Sequence, residues 1–303
     1  MRMELSLLGY GNDPASTTDN SKLSEDQVRW LDERRVGQLA IASLQVDDHE
    51  LVIRDHYPGF IRVFSYGWDG YTYSFHSIDE AVNRRARDGQ RVRVSGRSYC
   101  ALYGRFDSWM KYEYELRLDD DGVGCETLTL IPEQDTDFSP HRNGRPNNYS
   151  GIGSSLSGLS FAARVTRPVF ATALVAPFAD IEPKEFAVSD SNRNPIYEGP
   201  VDGAGALAGY NPDDQMFFGL LADGRDSDAA GKLVREQDGN RNSVHFEIMR
   251  PIASAWSAGS RNTFRRWFTA GRARDLEAAI RRIERARKKV HDAAAPQEQT
   301  SSR

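Results

Sequence analysis

The sequence predicts a β-rich α+β fold: an antiparallel sheet domain, a β-sandwich-like domain after it, and a C-terminal helical arm. Three features carry that expectation. Short apolar runs bounded by Gly, Pro, Asn and Asp recur along most of the chain, which is the spacing of strands and turns. One stretch alternates strictly, with Tyr112, Tyr114, Leu116 and Leu118 set against Lys111, Glu113, Glu115 and Arg117, as a half-solvated antiparallel strand does. Near the C-terminus the period changes, and Leu276, Ala279, Ile280, Ile283, Ala286 and Val290 recur at helical spacing.

Residues 1–22 read as a flexible segment, with Thr, Ser, Asn, Asp and Pro from Asn12 to Ser21. Ser24 to Gln27 offers a capping box, with Leu23 and Val28 as its hydrophobic staple, so a helix is expected from Glu25 to Arg34. Strands follow at Gln38 to Leu44, Glu50 to Arg54, Phe60 to Tyr66 and Tyr71 to Phe75. The last two are joined by Gly67-Trp68-Asp69-Gly70, a hairpin turn in which Asp-Gly tolerates positive φ. Ser77-Ile78-Asp79-Glu80 matches a second capping box and predicts a short helix to Arg87, before a strand at Gln90 to Ser95. Asp119 to Gly122 turns the alternating strand back into Cys125 to Ile131. Residues 23–132 thus make a sheet domain with two short helices.

Apolar periodicity vanishes between residues 133 and 160, the expected loop or linker. Strands then resume over 161–250, the expected sandwich-like domain: Val169 to Val175, Glu185 to Ser189, Pro195 to Glu198, Gln215 to Leu221, Lys232 to Glu236 and Ser243 to Met249. Met216 to Leu221 is apolar on both faces and belongs in a sheet interior, whereas Val244, Phe246 and Ile248 alternate with polar residues. Residues 251–292 form the expected helical arm, and 293–303 a disordered polar tail.

The charge is divided unevenly. The segment from Arg250 to His291 holds twelve Lys and Arg against three acids, a net of +9; the whole chain is −5, so the remainder carries −14. A basic arm on an acidic body suits a polyanion, an acidic protein surface, another subunit, or a fold-back onto the body itself. Its cations are Arg281, Arg282, Arg285, Lys288 and Lys289 on the helix, with Arg265, Arg266 and Trp267 upstream in a mixture of rings and guanidinium groups. Such a mixture can stack bases, and it equally suits an amphipathic segment lying on a core. The stripe is rich in Ala and lacks Trp or Phe, which argues against membrane insertion. No run is long and apolar enough to span a membrane, and two cysteines do not make a disulfide scaffold, so a cytoplasmic location is expected.

Catalytic templates are poorly met. Asp55-His56 and His76 each place an imidazole near carboxylates, yet neither has a nucleophile in a recognisable setting. Tyrosines cluster between Tyr57 and Tyr114, as strand packing alone would favour or as a ligand platform would need. The acidic stretches at Asp119 and Asp223 lack the spacing of a calcium loop, and no histidine pair accompanies the cysteines, so neither metal nor cofactor is expected. Gly151 to Ser155 lacks the lysine of a phosphate loop.

The expected function is therefore non-enzymatic: an assembly or binding protein whose basic C-terminal helix docks an acidic partner surface or another subunit. The alternative is an enzyme with a site near His56 and His76 or between the two sheet domains. A second alternative is nucleic-acid binding through the arm.

Overall fold

A computed structural model describes residues 2–8, 25–26, 29, 33, 38–47, 49–51, 66–67, 70–71, 74–86, 89–102, 105–137, 172–176, 181–185, 195–201, 203–225, 229–238, 241–249 and 255–294. The fold is strand-rich. A small sheet opens the chain with β1 (Arg2–Leu8), β2 (Gln38–Val46) and β3 (His49–Glu50). Next, β4 (Tyr66–Gly67) pairs antiparallel with β5 (Gly70–Tyr71), where a hairpin was expected. Then come β6 (Ser74–His76), β7 (Glu80–Ala86), β8 (Gly89–Leu102), β9 (Arg105–Asp119) and β10 (Val123–Pro132). Next are β11 (Thr136–Asp137), β12 (Thr172–Ala176), β13 (Glu182–Glu185), β14 (Tyr197–Pro200), β15 (Ala206–Asn211) and β16 (Met216–Leu221). The chain ends with β17 (Ala230–Asp238), β18 (Arg241–Met249), β19 (Ala255–Trp256), β20 (Asn262–Arg272) and a helix, Leu276–Ala294.

Ten of these strands form one antiparallel sheet, ordered β13-β12-β15-β16-β20-β10-β9-β8-β6, with β7 also paired to β8. Strands from both sides of residues 133–160 share it, and β20 joins them, pairing β10 on one edge and β16 on the other. The Asp119–Gly122 turn is tight because Gly122 takes φ 84°, a conformation that costs glycine little. Its amide donates to the Asp119 carbonyl at 3.1 Å.

Alternation assigns the faces. Along β9, Tyr112, Tyr114, Leu116 and Leu118 are buried, while Lys111 and Glu113 are exposed. That buried face, with Leu128, Leu130, Phe264 and Phe268 on neighbouring strands, packs under the β14-β17-β18 sheet through Leu233, Phe246 and Ile248. Phe218 and Phe246 meet edge to face across the two sheets, their centroids 5.1 Å apart. The opposite face, at β12, β15, β16 and β20, is covered by the C-terminal helix. All six residues of Met216–Leu221 are buried, as expected for a strand apolar on both sides.

Three segments differ from expectation: within the segment read as flexible, Arg2–Leu8 is a strand, held by antiparallel pairing with Gln38–Gln45 of β2. Residues Glu80–Ala86 form a strand instead of a helix: they pair with Gly89–Ser95, and the Asp79 amide donates to the Ser95 carbonyl at 2.8 Å. Seven residues are too few for a helix to hold itself together, so an available sheet edge decides. The arm is not helical from residue 251, because Asn262–Arg272 is an interior strand and the helix begins only at Leu276. In the N-terminal region Glu25, Asp26, Arg29 and Glu33 are helical, as expected.

Candidate functional site

The C-terminal helix is capped by Asp275, whose Oδ1 accepts from the Ala278 amide at 2.7 Å. That bond, aided by Arg274, holds the Asp275 carboxyl below its usual range. The apolar stripe of Ala279, Ile283, Ala286 and Val290 is fully buried against Leu174, Phe217, Leu221 and Trp267. The stripe therefore packs on the chain's own body.

The helix cations divide by position. Lys289 faces inward, with its Nζ 2.6 Å from Asp119 and 2.9 Å from Asp121. Partial burial works against its charge, but the two carboxylates outweigh it and hold the ammonium pKa above the ordinary value. Arg287 donates to the Ala204 carbonyl at 2.9 Å. Arg282 lies 5.9 Å from the Phe217 ring centroid, and Arg281 pairs with Glu277 one turn back at 2.5 Å. Arg285 and Lys288 are exposed, with no carboxylate partner among the described residues.

The upstream trio is split up by β20. Arg266 and Trp267 are buried, so neither side chain is open to a partner molecule; Arg265 is exposed. Arg266 Nε donates to Glu126 Oε2 at 2.8 Å, and the Tyr114 hydroxyl donates to Glu126 Oε1 at 3.0 Å. Burial raises the Glu126 carboxyl above the usual carboxylate range against the pull of Arg266 and Tyr114, and it lifts the Tyr114 hydroxyl as well. Trp267 Nε1 points to Asp223 Oδ2 at 3.4 Å. Cys125, also buried, has its thiol pushed up to about 12 by burial.

Beyond the helix, on the same face of the sheet, the surface is polar and concave. The register sets two rows across five strands: Arg84, Arg91, Arg117, Cys125 and Trp267, then Val82, Arg93, Glu115, Thr127 and Arg265. A trough of about 720 Å³ lies over the second row and the Arg84 and Arg91 end of the first, lined by Arg84, Arg91, Arg93, Glu115 and Arg265 among others, while Cys125 and Trp267 are buried. No sequence motif announced it, because each arginine reads singly as a solvated position and Arg84 falls where a helix was expected.

Other candidates are dispersed. Asp55 and His56 lie outside the described residues, and His76 sits in β6 with its backbone opposite Ser98. Asp223 Oδ1 accepts from the Arg225 amide at 3.0 Å, while Asp119 and Asp121 are engaged by Lys289. Among the described residues no three His, Cys, Asp or Glu side chains gather as a metal site. No described helix is long and apolar enough to cross a membrane.

The fold is thus a large antiparallel sheet carrying a second sheet on one face and a helix on the other. Comparison with known protein families gives no match, and neither does comparison with curated protein sequences. Among solved structures, the chain is similar to the galactosidase domain of alpha-galactosidase-sucrose kinase, AgaSK, with a TM-score of 0.43 at 10% identity over 73% of this chain. It spans only 31% of that protein's length. It is also similar to galactose 1-epimerase from Lactobacillus acidophilus NCFM, with a TM-score of 0.37 at 10% identity, over 90% of this chain and 100% of that one. Likeness this slight says nothing of chemistry.

Proposed function

We propose that the protein is a non-enzymatic binding protein in which the exposed side of the C-terminal helix docks the acidic body of a second copy. The division of roles within that helix carries the reading. Its apolar stripe is committed to the core, while Arg281, Arg282, Arg285 and Lys288 remain on the solvent side. Because the helix is anchored along its length, the backbone positions that carry those cations are fixed before any partner arrives, which lowers the ordering cost of association. The charge balance supplies a complement: +9 within residues 250–291 against −14 in the rest of the chain. Single exposed ion pairs contribute only about 0–1 kcal/mol, so the array must act as a set.

The test is light scattering after size exclusion on the intact chain and on a variant carrying Arg281→Gln, Arg282→Gln, Arg285→Gln and Lys288→Gln together. A mass above one protomer at low salt, falling to one protomer in the variant and at high salt, is the expected result. A monomer in both proteins would end this reading. Nucleic acid detected by its ultraviolet absorbance in the intact chain, and absent from the variant, would replace it with nucleic-acid binding.

A further inference from the structure

We infer that the trough over β7, β8, β9, β10 and β20 binds a small phosphate-bearing molecule, its phosphate seated on the adjacent Arg84 and Arg91 at one end, with Arg265 four strands away at the other. This stands independently of the docking proposed for the helix. Strand register makes the first part of the case. Arg84 lies directly opposite Arg91, and Arg91 directly opposite Arg117, so three like charges sit side by side across adjacent strands. Directly opposed like charges destabilise a sheet, so packing alone does not favour this row.

The carboxylates that Arg91 and Arg117 reach are shared with closer cations. Glu115 is held by Arg93 at 2.5 Å, and Glu113 by Arg261 at 2.6 Å. Asp119 lies 3.6 Å from Arg117 and is taken by Lys289 at 2.6 Å. Arg91 reaches only a Glu115 oxygen 3.8 Å away, and its Nε is buried without a hydrogen-bond partner. Arg84 and Arg265 have no ion pair among the described residues. Planar guanidinium forks match the oxygens of a phosphate two at a time.

The rest of the trough describes the rest of the ligand. Its volume of about 720 Å³ exceeds what a lone phosphate needs and falls within the range of about 300–1,000 Å³ typical of small-molecule sites. The next row across the same face is Glu80, Ser95, Glu113 and Thr129. Acceptors thus stand beside the arginines, suited to hydroxyl or ammonium donors at the far end of the molecule.

Titration calorimetry of the full chain with inorganic pyrophosphate tests this. Saturable binding is expected, weakened about tenfold or more by Arg84→Gln combined with Arg91→Gln. Glu115→Gln should tighten it several-fold, because it frees Arg93 and Arg91; a misfolded variant cannot produce that opposite sign. The four helix substitutions to Gln should leave pyrophosphate binding unchanged, which separates this site from the docking surface. No saturable binding at millimolar pyrophosphate, or binding indifferent to Arg84 and Arg91, would overturn the assignment. So would a single-stranded oligonucleotide that binds more tightly than pyrophosphate and is lost in the same double variant, since the row would then be a track for a nucleic-acid backbone.

Discussion

Glu126 lies deep in the core, between Tyr114 and Arg266. Two charges out of water are expensive to place there, and their attraction offsets that penalty only while both are present. Glu126→Ala is therefore expected to cost about 3–5 kcal/mol in urea unfolding, because it strands the Arg266 guanidinium. Replacing both members with apolar side chains, Glu126→Leu together with Arg266→Met, should be neutral or stabilising by about 1–4 kcal/mol. A double variant as damaged as the single one would show that the charges are needed for packing geometry and not merely tolerated. The same pair hid β20 from sequence reading. Phe264, Arg266 and Phe268 share one face of that strand, and a buried arginine at the middle position looks like a break in the alternation. Its partner is 140 residues away in sequence, so nothing local signals that its charge is satisfied.

At the scale of elements, the sequence was most readable where one face is apolar and the other wet. β9 and the stripe of the C-terminal helix follow their expected periods residue by residue. The capping pattern at Ser77 misled because its serine and acids have other uses in the fold. The Ser77 hydroxyl donates to Asp79 Oδ1 at 3.2 Å and accepts from the Arg97 amide at 3.1 Å. The genuine cap is Asp275, and its behaviour with pH tests the helix. Its folded carboxyl pKa lies below the ordinary value of 3.8, so the fold gains stability from it above that pH and loses this contribution as pH falls through the lower folded value. Asp275→Asn keeps a capping oxygen but removes the titration. Urea midpoints taken at about pH 5 and about pH 2.5 should fall less in the variant than in the parent chain. An equal fall in both would mean that Asp275 does not cap the helix in solution. The trough was not readable at this scale, since its rows exist only once five strands are in register.

At the scale of the whole molecule, charge and topology point in different directions. The uneven charge suggested a basic helical arm over residues 251–292, yet this segment supplies an interior strand and a core helix. Removing it would expose Phe217, Leu221 and the buried faces around them, so only charge substitutions can test docking. The position of β20 has a consequence for how the chain comes into being. Synthesis proceeds from the N-terminus, and β10 and β16 wait with open edges until the strand that lies between them emerges. Unpaired edges recruit other chains, and pairings so distant in sequence form slowly. A chain stopped before Asn262 is expected in the insoluble fraction on expression, whereas the four helix substitutions to Gln should leave the full chain soluble. A soluble, folded truncated chain would show that the two half-sheets close without β20. If they cannot, the nascent protein passes through a long interval as two unfinished sheets, and its yield in a cell depends on what shields those edges until the last strand arrives.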